Sequence, residues 1–150
     1  MEFKFLYQKP ALGYMCPESV FFFYYTVAKG ELEGESVIYE WNEEIEKFLS
    51  NRGADIAPCS IEEIPSEFKD GVMRFEKFDN EGKAEALIRH LRNAFAHYRI
   101  GENDDSFKME DFNKQNQRTM IGKIRGDDLK QLCYLLLKQG EKYNENRNIL

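Results

Sequence analysis

Ala84-Glu85-Ala86-Leu87-Ile88-Arg89-His90-Leu91-Arg92-Asn93-Ala94-Phe95-Ala96-His97-Tyr98 is the stretch on which the fold and the chemistry of this chain both turn. Ala84, Leu87, Ile88, Leu91, Ala94, Phe95 and Tyr98 recur at intervals of three and four, so one face of the segment is apolar and the spacing predicts an amphipathic helix. With Asp79 or Asn80 as its cap, that helix runs to about Tyr98. Its polar side chains are therefore carried on a rigid element. Among them, Arg92, Asn93 and His97 lie within about one and a half turns. No other segment joins a permanent cation to a group that gains or loses a proton near neutral pH.

Outward from this helix the chain reads as one domain over residues 1–150, long enough for a proper core and too short for two. Apolar residues make up 42% and charged residues 32%, the balance of a folded globular protein rather than a disordered one. The longest apolar run, Val20 to Val27, falls well short of the roughly twenty residues of a membrane span. No basic stretch with an apolar segment and small-residue cleavage site opens the chain, so no signal peptide is expected. Cys16, Cys59 and Cys133 are odd in number and widely spaced. They make neither a disulfide framework nor a zinc spacing, which points to reduced, mostly buried thiols and the cytoplasm.

The net charge of −6 is unevenly spread: residues 1–79 hold 16 acids and 8 bases, residues 80–150 hold 11 acids and 13 bases. Overall acidity argues against a bulk nucleic-acid binder. It leaves room for a local anion site, because Lys83, Arg89, Arg92 and Arg99 face a single acid, Glu85, between positions 83 and 99.

The remaining elements read as follows. Glu2–Tyr7 is a short strand or the start of a helix. Ser19 caps an aromatic-rich helix to about Lys29, and Ser36–Asn51 forms a helix that Gly53 stops. Residues 54–79, broken by Pro58, Pro65, Asp70 and Gly71, read as short helical pieces in a connecting segment. Ser106–Phe112 and Arg118–Arg125 flank the polar loop 113–117 and predict a β-hairpin. A last helix opens at Gly126-Asp127 and stops near Gly140, before a frayed polar tail. The expected fold is mainly α: a bundle of about four to five helices with a small β-hairpin inserted before the C-terminal helix.

On the predicted helix, with Leu91 at the middle of the buried stripe, Arg92 lies about 100° to one side and His97 about 120° to the other. The two are roughly 140° apart and about 7.5 Å offset along the axis. Asn93 and the small Ala96 lie between them on the outward face. Arg92 and His97 therefore bracket that face without pointing at each other. Two copies packed outward face to outward face would bring both pairs into one cleft, with an anion between the arginines. RNA cleavage suits such a cleft because the 2′-hydroxyl attacks its own phosphorus and no metal is needed. The step requires a base, a proton donor for the leaving 5′-oxygen and positive charge on the phosphorane. His97 can move protons, Arg92 can supply forked charged donors, and Asn93 can orient His97 or bind phosphate or sugar.

Arg92-Asn93-Ala94-Phe95-Ala96-His97 resembles the Arg-X4-His motif of the HEPN superfamily, including the polar residue that usually follows the arginine. Together with the hairpin and Gly122-Lys123-Ile124 ahead of a final helix, it resembles a HEPN group with a β insertion. The resemblance covers about sixty residues. It implies a helical fold, dimerisation through the motif helices, and metal-independent ribonuclease activity in toxin–antitoxin, phage-defence or RNA-processing systems. It further implies Arg92 and His97 as the catalytic pair with Asn93 in support, and an antitoxin of nucleotidyltransferase-like or other type as a partner. In superfamily toxins silenced by adenylylation a tyrosine stands two residues after the histidine. Here that position is Arg99, while Tyr98 follows His97 and falls on the apolar stripe, so that regulation is not expected.

Arg89 and Arg99 are candidate RNA contacts. His90 sits one heptad before His97, too far to share a metal ion, and reads as a surface or interface residue. No cofactor is implied. Two other classes compete with the homodimeric ribonuclease: a non-catalytic helical module binding nucleotide, RNA or protein through the same cleft, and a purely structural dimerisation unit.

Overall fold

A computed structural model describes residues 12–29 and 39–148, with side chains as far as Leu137. The hairpin forms where the alternation placed it, as β4 (Ser106–Phe112) and β5 (Arg118–Arg125). Asn113 organises its loop: the side-chain oxygen accepts the Gln115 and Gln117 amides at 3.0 and 2.9 Å.

The hairpin is the centre of something larger. β1 (Asp55–Cys59), β2 (Val72–Glu76) and β3 (Ile100–Asn103) join it in a five-stranded mixed sheet of order β1-β2-β5-β4-β3. β1 and β2 are parallel and all other neighbours antiparallel. The expectation of a mainly helical bundle is therefore wrong: this is an α/β fold, and residues 54–79 supply two strands, not helical pieces. Only a 3₁₀ turn, Ile61–Glu63, is helical there. β1 contains Pro58, which the sheet accepts because β1 is an edge strand. In β2 the inward side chains are Met73 and Phe75, alternating with Val72, Arg74 and Glu76.

The helices are α1 (Pro17–Phe23), which continues as a π-helical turn (Tyr24–Ala28), α2 (Glu43–Arg52), α3 (Lys83–Ala96) and α4 (Gly126–Asn148). Cys16, not Ser19, is the cap of α1, and Ser19 is buried within its first turn. Pro17 at the first helical position explains the start, since its missing N–H is not needed there. α2 begins later than expected, at the Asn42 cap whose side chain accepts the Ile45 amide at 3.0 Å, and ends at Gly53 in the left-handed region as the sequence indicated. α3 starts after Gly82. α4 passes through Gly140 and runs to Asn148, beyond the expected stop. The expected element Glu2–Tyr7, and Ile149 and Leu150, lie outside the described residues.

One sheet face carries Met73, Phe75, Phe107, Met109, Met120 and Ile124, which share a single core with Phe23, Ile45, Leu49, Leu87, Leu91 and Leu132 of the helices. Phe23 meets Phe107 edge-on with ring centroids 5.2 Å apart. Gly122 sits in this face because a Cβ there would come within 2.9 Å of the Met73 side chain on the neighbouring strand. The segment between β1 and β2 lies against the other face, where Arg118 donates to the carbonyls of Pro65 and Ser66 and Lys123 pairs with Asp70. Among the described residues no helix is long and apolar enough to cross a membrane.

Candidate functional site

α3 lies against both the π-helical turn and the inner face of β2 and β4. Its buried surface is accordingly wide: Ala84, Ala86, Leu87, Ile88, His90, Leu91, Ala94 and Phe95. Exposure is left to a narrow strip that includes Glu85 and Ala96 and ends at His97. The helix stops earlier than its periodicity suggests. His97 is the cap residue, Tyr98 turns left-handed at φ 60°, the Tyr98 amide donates to the Phe95 carbonyl, and the Arg99 amide donates to Ala94. This paired closure is a Schellman-like ending with tyrosine where glycine is usual. It lifts Tyr98 off the apolar stripe, leaving it 37% exposed, and presents His97 to solvent at the helix end.

The three motif residues are divided by their anchors. Arg92, half-buried, leans towards α1, where its Nε donates to the Val27 carbonyl at 2.7 Å. Val27 is in the last turn of that helix, so its carbonyl needs an outside donor. Arg92 also bonds the Tyr39 hydroxyl; burial pushes that hydroxyl above its ordinary range and the guanidinium partly opposes the rise. Asn93 leans the other way, towards the sheet, and its amide nitrogen donates to Asp111 Oδ2 at 3.3 Å. His97 stays at the surface one helical turn beyond Asn93.

Behind Asn93 lies a pair that sequence reasoning missed. His90 is fully buried, not a surface residue: its Nδ1 is 2.7 Å from Asp111 Oδ2 and its Nε2 is 2.7 Å from the Glu76 carbonyl. A carbonyl accepts and so does an ionised carboxylate, so with Asp111 ionised both ring nitrogens carry hydrogen and the two residues form an ion pair. The 3.3 Å approach of Arg89 Nη2 to His90 Nε2 is then not a bond; Arg89 shares the Glu76 carbonyl with the histidine. Asp111 Oδ1 accepts the Phe112 amide at 2.9 Å. A signal for this pair was present in the chain, because Asp111 continues the inward alternation of Phe107 and Met109, and an acid on a buried face requires a donor.

Arg89 is committed inside the protomer. It grips Glu81 with Nε and Nη2 at 3.1 and 2.7 Å and lies 3.9 Å from the Phe78 ring centroid. Burial raises the Glu81 carboxyl, but the Arg89 bond, the Phe78 amide and the Arg89 and His90 charges outweigh it and hold the group below its ordinary range. Arg99 stacks on Phe112 at 4.4 Å. Surface cavities of about 260 and 450 Å³ are lined by the 61–72 segment with β5, and one of about 310 Å³ by the β3–β4 turn and the start of α4. None of these three is lined by Arg92, Asn93 or His97.

Among known proteins, the family model described as HEPN pEK499 p136 matches residues 23–147, a span that includes α3 and all five strands. No curated protein and no solved structure matches the chain.

Proposed function

The chain belongs to the HEPN pEK499 p136 family, and from that premise we propose that it is a metal-independent endoribonuclease whose site is completed across a homodimer. The observation that carries this reading is the placement of Arg92 and His97 on either side of the exposed strip of α3, one oriented by internal bonds and the other open to solvent. His97 takes the proton of the 2′-hydroxyl as that oxygen attacks phosphorus. Arg92 of the partner subunit compensates the charge of the phosphorane. The bond to the 5′-oxygen then breaks, and the second imidazolium of the shared cleft returns a proton to it. Products carry a 2′,3′-cyclic phosphate and a 5′-hydroxyl. Arg99 is a secondary candidate for the RNA backbone; Arg89, already clasped by Glu81, is a weaker one.

The test is incubation of assorted RNAs in chelator with wild type, His97→Ala and Arg92→Ala, together with solution mass. Cleavage by a dimer that is lost in both variants supports the proposal; activity surviving both removes it. The biological role follows as part of the same proposal. A cytoplasmic nuclease used as a toxin or in phage defence requires restraint by an antitoxin, so induced expression should halt growth and His97→Ala should relieve the arrest.

A second reading is favoured by one observation: Arg92 and Asn93 are both bonded within their own chain, to Val27 and Asp111. A non-catalytic module binding nucleotide, RNA or a protein through the same surface would use them in that way. Affinity without turnover, lost in Arg92→Ala and kept in His97→Ala, identifies that case.

A further inference from the structure

Asn93 cannot turn freely. Its neighbour Asp111 is an acceptor on both oxygens, so the amide nitrogen must face inward and the amide oxygen must face away, towards the exposed strip. Asp111 is itself fixed from behind by His90, which is locked between Oδ2 and the Glu76 carbonyl, and from the side by the Phe112 amide. The buried chain thus runs from the β2 backbone through His90 and Asp111 to Asn93. Its last link lies one helical turn before His97, close enough for the two side chains to meet.

Resting on the ribonuclease reading, we infer that His90 and Asp111 are positioning residues that hold Asn93 as a hydrogen-bond acceptor for the ring N–H of His97. An acceptor on one ring nitrogen fixes the tautomer and leaves the lone pair of the other nitrogen to take the 2′-hydroxyl proton. A donor in the same place would select the wrong face of the ring. The polarity of one buried carboxylate, which touches neither substrate nor His97, therefore decides whether His97 is set as a base.

Asp111→Asn inverts that polarity with almost no change of shape. The Phe112 amide still requires an oxygen at the Oδ1 position, so the new amide nitrogen falls at the Oδ2 position. There it can donate to a neutral His90, and Asn93 must rotate to accept from it, which turns the Asn93 NH₂ outward. The expected result is a fall in kcat of about tenfold to a hundredfold, the usual scale for losing an outer partner of a working side chain, with KM for RNA little changed. Adding Asn93→Asp restores an outward oxygen, because the new carboxylate accepts from the amide introduced at position 111 in place of the rotated one. The double variant should therefore recover much of the lost kcat. A merely structural role for Asp111 would lower stability without this reversal.

The same inference is read without any activity. In wild type the Asn93 side-chain NH₂ should exchange with solvent much more slowly than the amide of exposed Asn116, and nitrogen NMR should show one dominant neutral tautomer of His97. Asp111→Asn should speed the first and mix the second. Rapid Asn93 exchange in wild type overturns the inference even if RNA is cleaved. So does wild-type kcat in a folded Asp111→Asn protein, or kcat left unrecovered in a folded double variant. Absence of cleavage in wild type with slow Asn93 exchange and a fixed His97 tautomer overturns the ribonuclease reading and leaves the positioning chain standing.

Discussion

Replacing Asp111 by alanine should be among the most damaging single substitutions in this protein, and its cost can be worked from the contacts it removes. Asp111 is 3% exposed and His90 0%. Deletion leaves the imidazolium without its counter-charge in the core, for which about 3–5 kcal/mol is typical when one member of a buried pair is removed. The Phe112 amide also loses its acceptor, adding about 1 kcal/mol at this half-buried position. A loss of about 4–6 kcal/mol compares with a total of about 5–15 kcal/mol for an ordinary domain. In urea, at about 2 kcal/mol per molar, the midpoint of unfolding should fall by about 2 M or more. The joint substitution His90→Phe/Asp111→Leu is the control. It removes both charges, the Glu76 carbonyl keeps Arg89 as a donor, and the midpoint should stay within about 1 M of wild type. If Asp111→Ala shifts the midpoint by less than about 0.5 M, or the double variant is no better than the single, then His90 is not held as an ion and the reasoning from its two acceptors fails.

Three further outcomes are expected. Asn42→Ala removes the side-chain acceptor for the Ile45 amide at the start of α2 and should cost about 1 kcal/mol in urea unfolding, with Asn42→Ser close to wild type. Because Glu81 is held below its ordinary range, its clasp with Arg89 stabilises the fold above the unfolded value of about 4.3 and is lost as pH falls through the lower folded value; Glu81→Gln should flatten the acid limb of a stability–pH profile, and an unchanged limb counts against the clasp. Burial pushes the Cys133 thiol up to about 12, so an alkylating reagent at mildly alkaline pH should label exposed Cys16 and leave Cys133 until the protein unfolds, as read by peptide mass.

What the sequence revealed and what it hid divide along the range of the interactions involved. β4 and β5 were found to the residue because alternation and a polar loop are written within about twenty positions. α3 was found for the same reason, and so was the Gly53 stop of α2. β1 and β2 were missed because each has five residues, one of them Pro58, and they pair across a segment with its own turn. Nothing local states that Asp55 will lie beside Val72 or that Val72 will face Lys123. β3 was missed as well, a four-residue strand directly after the end of α3, and the helical reading of the whole followed from the three omitted strands. His90 was misplaced by a related fault: a helical wheel drawn around Leu91 assumes one buried side, whereas α3 is covered by both the π-helical turn and the sheet. Tyr98 fits the apolar period but follows the helix end, and its left-handed backbone removes it from the stripe.

Arg92, Asn93 and His97 are the candidates that the motif names, and the structure shows which flank of α3 the first two occupy. The internal bonds of Arg92 and Asn93 pull these two side chains to opposite flanks of α3, towards Val27 and Asp111. Between them the helix shows solvent only a narrow strip, in which Ala96 contributes a single methyl group. A surface so low at its centre and polar at both margins suits the approach of a second helix, since small residues allow axes to close to about 8 Å. A two-fold axis through such a contact sets the Arg92 flank of one protomer against the His97 end of the other, so distance within a chain becomes proximity between chains. On this proposal the internal bonds of Arg92 and Asn93 are preparation rather than diversion. They fix a charge and an acceptor before RNA arrives, so that little side-chain order remains to be imposed when the phosphodiester binds.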